Sequence, residues 1–274
     1  MSGRVGMMQG RLLPKVDDRI QAFPGDRWPE EFPLLAGLGY NAIELTIEMA
    51  SWDSHPIRSP KGRARISDLS AEHDIHVVGL CGDNFMECPL VADDPATCRS
   101  SVVQLLTMLD DCAALGLGFV ELPMMGVNSL RSDNAKQLFD SAIDKILTHA
   151  KAVGVDIVLE SDLPADELAT LMDAYAHPCL GVNYDMGNST WFGFHPDDEL
   201  PKYGQHIRNV HVKDCTRADY SVPLGKGETE IPHVFAGLAA IGYDGDFILQ
   251  AARQADDLAA ARDYRAYLQE YCAL

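Results

Sequence analysis

The sequence predicts an α/β fold, a (β/α)₈ TIM barrel, covering residues 1–274 as a single domain, and three observations lead there. The length of 274 residues suits one such barrel. A local pattern recurs along the chain: a helix ends at Gly, a short turn follows, and an apolar run closes on a carboxylate or amide. It appears in Leu38–Leu45, Leu115–Leu122, Val153–Glu160 and Ile241–Gln250. Eight short apolar runs alternate with helical patterns, and no Gly-rich nucleotide turn of the GxGxxG or GxxxxGK[ST] type follows an early run, which argues against an open doubly wound sheet.

The strands are expected at Arg4–Met8, Ala42–Thr46, His76–Cys81, Phe119–Leu122, Asp156–Glu160, Leu180–Tyr184, Ile207–His211 and Phe247–Gln250. Each is short and continuously apolar, as for strands covered on both faces of a parallel sheet. The Gly residues before four of them suit the left-handed position just past a helix end. Between the strands, Leu138, Phe139, Ala142, Ile143, Ile146, Leu147 and Ala150 form an apolar stripe at helical spacing. Val102, Leu105, Leu106, Leu109 and Ala113 form another, and a shorter helix follows Pro164.

Composition narrows the function. The formal net charge is −19, and no Lys/Arg run offsets it, so a phosphodiester backbone would be repelled and nucleic acid is not expected as a partner. No stretch is long and apolar enough to span a membrane. The seven cysteines show no CxxC pair and read as reduced thiols; with no signal-peptide layout at Met1, a cytoplasmic location is expected.

In a barrel the chemistry gathers where strands end at their C-terminal side. Those ends carry Gln9, Glu44, Cys81 followed by Asp83 and Asn84, then Glu121, Glu160, Asp185, His211 and Gln250. Carboxylates at the ends of apolar runs are costly to bury unless a cation compensates. Two carboxylates, an imidazole and an amide oxygen form a mixed nitrogen and oxygen set suited to one divalent ion, Mn, Mg, Co or Zn. Glu160, Asp185 and His211 close three successive strands, which favours a shared site over three separate local ones.

The order of several short motifs resembles the xylose-isomerase-like TIM barrels, in particular their sugar and sugar-phosphate isomerases and epimerases. The carrying stretches are Met8–Leu12, Phe32–Gly39, Val158–Glu160, Val182–Asn188, Val210–Asp214, Pro223–Gly227 and Gly242–Gln250. The resemblance implies that Glu160, Asp185, His211 and Gln250 hold the metal, that Glu160 abstracts the proton, and that Arg217 contacts substrate with Asp214 and Lys213 nearby. It also implies a small carbohydrate substrate and self-association into a homo-oligomer. Asn188 stands where the ketose 3-epimerases carry His. The apurinic-site endonucleases that share this barrel need more His ligands and a cationic face, and neither is present here.

Gln250 departs from the family pattern. An amide cannot take a proton at neutral pH, so a two-base epimerisation lacks one base there. The expected outcomes are an aldose–ketose isomerase using one base, an epimerase or inosose-type dehydratase that recruits Glu44, Glu121 or His55, or a sugar-binding barrel with reduced catalysis. Lys213 is two residues past His211 on the same side of the strand and is expected as a second catalytic group that neutralises enediolate charge, or as a phosphate contact, or else as a rim lysine paired with Asp214 or Glu228. Gln9, Glu44, Asn84, Asn188, Asp214 and Arg217 are the expected substrate contacts. The loop Ser221–Glu228 offers backbone N–H groups to an anion, or else simply shapes the rim.

Overall fold

The computed structural model describes residues 3–272. Eight parallel strands close on themselves in sequence order: β1 Val5–Met8, β2 Ala42–Thr46, β3 His76–Cys81, β4 Phe119–Met124, β5 Asp156–Ser161, β6 Leu180–Asp185, β7 Ile207–Val212 and β8 Phe247–Leu249. β1 pairs with both β2 and β8, which leaves no free edge and rules out the open sheet. Nine helices surround it among the described residues: α1 Glu31–Leu38, α2 Pro60–His73, α3 Pro95–Leu115, α4 Asp133–Val153, α5 Ala165–Tyr175, α6 Met186–Phe192, α7 Pro196–Tyr203, α8 Ile231–Ala240 and α9 Asp257–Leu268.

The helix ends follow local chemistry. Asp94, Ser132 and Asp256 cap α3, α4 and α9 by accepting backbone N–H bonds. Gly39, Gly116 and Gly154 end α1, α3 and α4 at positive φ, as the repeated turn requires.

Most of the apolar core lies between strands and helices, with Phe32, Leu105, Phe139, Ile143 and Phe235 among its buried members. A second, smaller cluster comprises Met8, Ala42, Val78, Cys81, Phe119, Val158 and Ile248. Gly79 admits the Phe119 ring, since a Cβ there would meet it at 2.3 Å. Above these residues polar groups replace apolar ones. Alternation along β2, β4, β6 and β7 puts Glu44, Glu121, Asn183 with Asp185, and Asn209 with His211 on the inner face. Register shifts occur between Ile43 and Glu44 and between Val182 and Asn183, where they re-aim the side chains that follow.

Candidate active site and metal centre

β5, β6 and β7 bring Glu160, Asp185 and His211 together: one ligand atom from each lies within 4.8 Å of the others, and all three are buried. Asp185 ends β6 and also caps α6. Its Oδ1 accepts the Asn188 backbone N–H at 2.7 Å, so the carboxylate is fixed while Oδ2 remains buried with no hydrogen-bond partner. That orphaned oxygen, beside a second carboxylate and an imidazole, is the donor chemistry of a divalent-cation site. Gln250 is the first residue past β8, where its backbone N–H bonds Val212 O at 3.0 Å. Its side chain lines a cavity of about 170 Å³ together with Arg11, Gln21, Asp83, Lys213 and Tyr220.

A second group lies with His211 on the inner face. One ligand atom each of Glu44, Glu121 and His211 also fall within 4.8 Å of one another. Glu44 Oε2 is 3.1 Å from His211 Nε2 and accepts from Asn209 Nδ2 at 2.8 Å. The other ring nitrogen, Nδ1, is 3.0 Å from Asn183 Nδ2. A proton on Nε2 points to the Glu44 oxygen, and the Nδ1 lone pair then accepts from Asn183 Nδ2, a weak neutral donor that a bound ion would replace. Both Glu121 oxygens are buried without a partner.

The electrostatics are those of an anionic cage. Burial raises Glu121 and Glu160 above the usual carboxylate range, and repulsion from Glu44 on the first and from Glu121 and Asp185 on the second adds to it. Burial opposes the charged form of His211, yet Glu44, Glu160 and Asp185 outweigh it and lift the imidazole to about 9. A cation among these groups would relieve the repulsion and displace the protons that otherwise do so.

Asn188 links the cage to a cation. Its Nδ2 donates to Glu160 Oε1, and its Oδ1 accepts from Lys213 Nζ at 2.6 Å. Lys213 is almost fully buried, lies 3.9 Å from Asp185 Oδ2, and sits 3.3 Å from the centre of the Tyr220 ring. Burial lowers the pKa of its ammonium, against the pull of Asp185 and Glu160.

The structure places the other expected substrate contacts as follows. Gln9 points away from the barrel interior, because Met8 takes the inner face; its Oε1 accepts from Thr46 N at 3.3 Å. Asn84 turns toward α3 and donates to Gln104 Oε1 at 2.9 Å. Asp214 is fully buried and accepts three backbone N–H bonds from the loop that follows β7. Arg217 is 86% exposed, with Glu228 at 4.0 Å as its ion-pair partner. Glu44 lies under His211, as its partner. His55, considered as a second base, is packed on Phe23 and accepts Ile57 N, so it holds a loop.

Sequence reasoning passed over Asn183 and Asn209. The signal was available, since each lies two residues before a ligand-type residue and so shares its face. It also passed over Arg11, Gln21 and Tyr220, which loops bring to the opening and which no periodicity marks.

The residues 32–271 match the model of one protein family, the xylose isomerase-like TIM barrels. This chain belongs to that family. An L-ribulose-5-phosphate 3-epimerase from Salmonella typhi is 24% identical over 255 residues, covering 88% of this chain and 89% of its own. Among solved structures, an L-ribulose 3-epimerase aligns with a TM-score of 0.77 at 16% identity, over 98% of this chain and 94% of that one. The IolI protein with a bound zinc atom aligns with a TM-score of 0.76 at 13% identity, over 99% and 100% of the two chains. At such identities the structures establish the shared barrel.

Proposed function

We propose that the protein is a divalent-metal-dependent isomerase or epimerase of a sugar, sugar phosphate or polyol, with Glu160 as the base that moves a proton beside a carbonyl. The observation that carries this reading is the convergence of Glu160, Asp185 and His211 at the strand ends, with an orphaned Asp185 oxygen among them. Glu160, Asp185 and His211 would hold the ion, with Gln250 as a fourth, neutral donor. The ion, when bound, supplies Lewis acidity that polarises a carbonyl. The relatives named as sugar epimerases support the substrate class.

The chain's own residues supply the remaining steps. Asn188 holds the Glu160 carboxyl in place through its Nδ2 and the Lys213 ammonium through its Oδ1. Lys213 thereby sets a positive charge beside the opening, where enediolate charge would develop. Tyr220 covers the Lys213 ammonium and keeps water from it. Glu160 then removes the proton and can return it to the adjacent carbon on the same face, while the hydroxyl proton passes between the two neighbouring oxygens, so that one base on one face serves aldose–ketose isomerisation. Epimerisation needs a base on the opposite face. Gln250 cannot act there; of the candidate second bases, Glu44 is committed to His211 and His55 to a loop, which leaves Glu121, whose buried oxygens have no hydrogen-bond partner.

The test is incubation of metal-loaded protein with ketoses, aldoses, inososes and their phosphates in D₂O, followed by NMR. Deuterium uptake is expected in the wild type and a fall of about a hundredfold or more in Glu160→Gln. Uptake that survives this substitution removes Glu160 as the base.

A further inference from the structure

The residues that form the candidate site are themselves held by a short helix. α6 spans only Met186–Phe192, too short to keep its place without tertiary contacts. Asp185 caps it, and Asn188 in its first turn fixes Glu160, so both carboxylates go where α6 goes. Packing alone does not hold them. A cavity of about 20 Å³ lies between them and α7, lined by Glu160, Asp185, Asn188, Ser189 and Glu199 among others.

Glu199, on α7, grips the chain on both sides of that segment. Its Oε2 accepts from Tyr184 Oη at 3.1 Å, one residue before Asp185, and from Ser189 Oγ, one residue past Asn188. Oε1 accepts from Tyr203 Oη at 2.7 Å, a partner on α7 itself. On the β7 side, Cys215 Sγ donates to Gly187 O at 3.1 Å, and a Cβ on Gly187 would meet the Lys213 stem at 2.6 Å. α6 is therefore set between Glu199 and β7. Glu199 is 3% exposed, and burial raises its carboxyl above the usual range against the three hydroxyls. A buried carboxylate costs folding free energy that a well-packed apolar side chain would not. Here it lies where it decides the placement of two expected ligands.

We propose that Glu199 is a positioning residue of the active site: by holding Tyr184 and Ser189 it sets α6, and through α6 the carboxylates of Asp185 and Glu160. This rests on the metal and base roles given to those two residues above, and adds a residue that touches neither ion nor substrate. The role lies in its acceptor oxygens rather than its charge. Gln at this position keeps an oxygen for Ser189 and Tyr184 and can turn its NH₂ to the Tyr203 oxygen.

The experiment measures zinc or manganese affinity by chelator competition, deuterium uptake by the sugars and inososes of the panel above, and stability in urea. The variants are Glu199→Ala, Glu199→Gln, Ser189→Ala and Tyr203→Phe. Glu199→Ala is expected to weaken metal binding by about tenfold or more, and to lower kcat of the metal-saturated protein similarly with KM nearly unchanged. Glu199→Gln restores both to within about threefold of wild type. Ser189→Ala moves both in the direction of Glu199→Ala, by about threefold or more, and decides the matter if Glu199→Ala does not fold. Tyr203→Phe frees the carboxylate only from its own helix, so it loses stability and leaves both readings in place. Loss of stability with unchanged metal affinity and kcat in Glu199→Ala and Ser189→Ala overturns the proposal, as does a Glu199→Gln protein no better than Glu199→Ala. The ion is read without turnover, so the two readings fail separately. Weakened metal binding in these variants with no exchange in wild type keeps the proposal and removes the isomerase reading, whereas exchange in wild type and in every variant alike does the reverse.

Discussion

Replacing Glu44 with Gln isolates the support beneath the metal site. The substitution keeps the shape and an oxygen able to accept the His211 Nε2 proton, and removes the charge. Glu44 Oε2 accepts from both His211 at 3.1 Å and Asn209 at 2.8 Å, and all three residues are fully buried. A hydrogen bond to a charged acceptor in such surroundings contributes about 1.5–3 kcal/mol. If Glu44 acts by holding the His211 ring with Nδ1 toward the ion, that loss appears as metal binding weaker by roughly ten- to a hundredfold. The assay is competition between protein and a chelator of known affinity for zinc or manganese, in wild type, Glu44→Gln, His211→Gln and the double variant. The expected double-mutant cycle shows strong coupling: once His211 is gone, the Glu44 change adds little. Full additivity, or unchanged affinity in Glu44→Gln with the fold intact by circular dichroism, refutes the positioning argument. A long-range nitrogen–proton NMR spectrum of the metal-loaded wild type gives an independent reading, with His211 expected to carry its single proton on Nε2.

Two further outcomes follow from the same geometry. Gln250→Glu returns a third carboxylate to the ion's surroundings, and divalent-metal affinity measured by chelator competition should rise by about tenfold or more; a fall would place Gln250 outside the coordination sphere. Glu31 is buried under the turn after β1, where its Oε1 accepts Gly10 N at 2.7 Å, and burial lifts its carboxyl to about 8 from 4.5. The folded state therefore binds this proton more tightly than the unfolded one, and stability falls as pH rises from about 4.5 to 8. Glu31→Gln should flatten that decline in urea titrations, by roughly 5 kcal/mol at most; an unchanged pH slope would show that Glu31 is not the group responsible.

Much of this architecture was legible because it rests on local chemistry. The Gly that ends a helix at positive φ marked Gly39, Gly116 and Gly154, and the apolar runs after them located β2, β4 and β5 within two residues. Glu160, Asp185 and His211 were legible for a related reason, since a polar ligand type at the end of an apolar strand has few places to go other than the barrel mouth. What failed was phase and loop direction. Gln9 lies one residue past the inward-facing Met8, and alternation alone turns it outward. Asp214 and Arg217 sit in a loop whose path is fixed by three hydrogen bonds to the Asp214 carboxylate, a closure between residues 12 to 15 apart in sequence. No spacing rule reveals such a closure. Arg11 was likewise hidden, because its partners Ala251 and Gln21 come from opposite ends of the chain and from a loop.

The most direct measurement of the central claim is a crystal of the manganese-loaded protein, with anomalous difference density collected at the manganese edge. The account predicts one peak per chain, within coordination distance of Glu160, Asp185 and His211 Nδ1 and on the side open to the Lys213 cavity. A peak lodged between Glu44 and Glu121, or coordination through His211 Nε2, would contradict it.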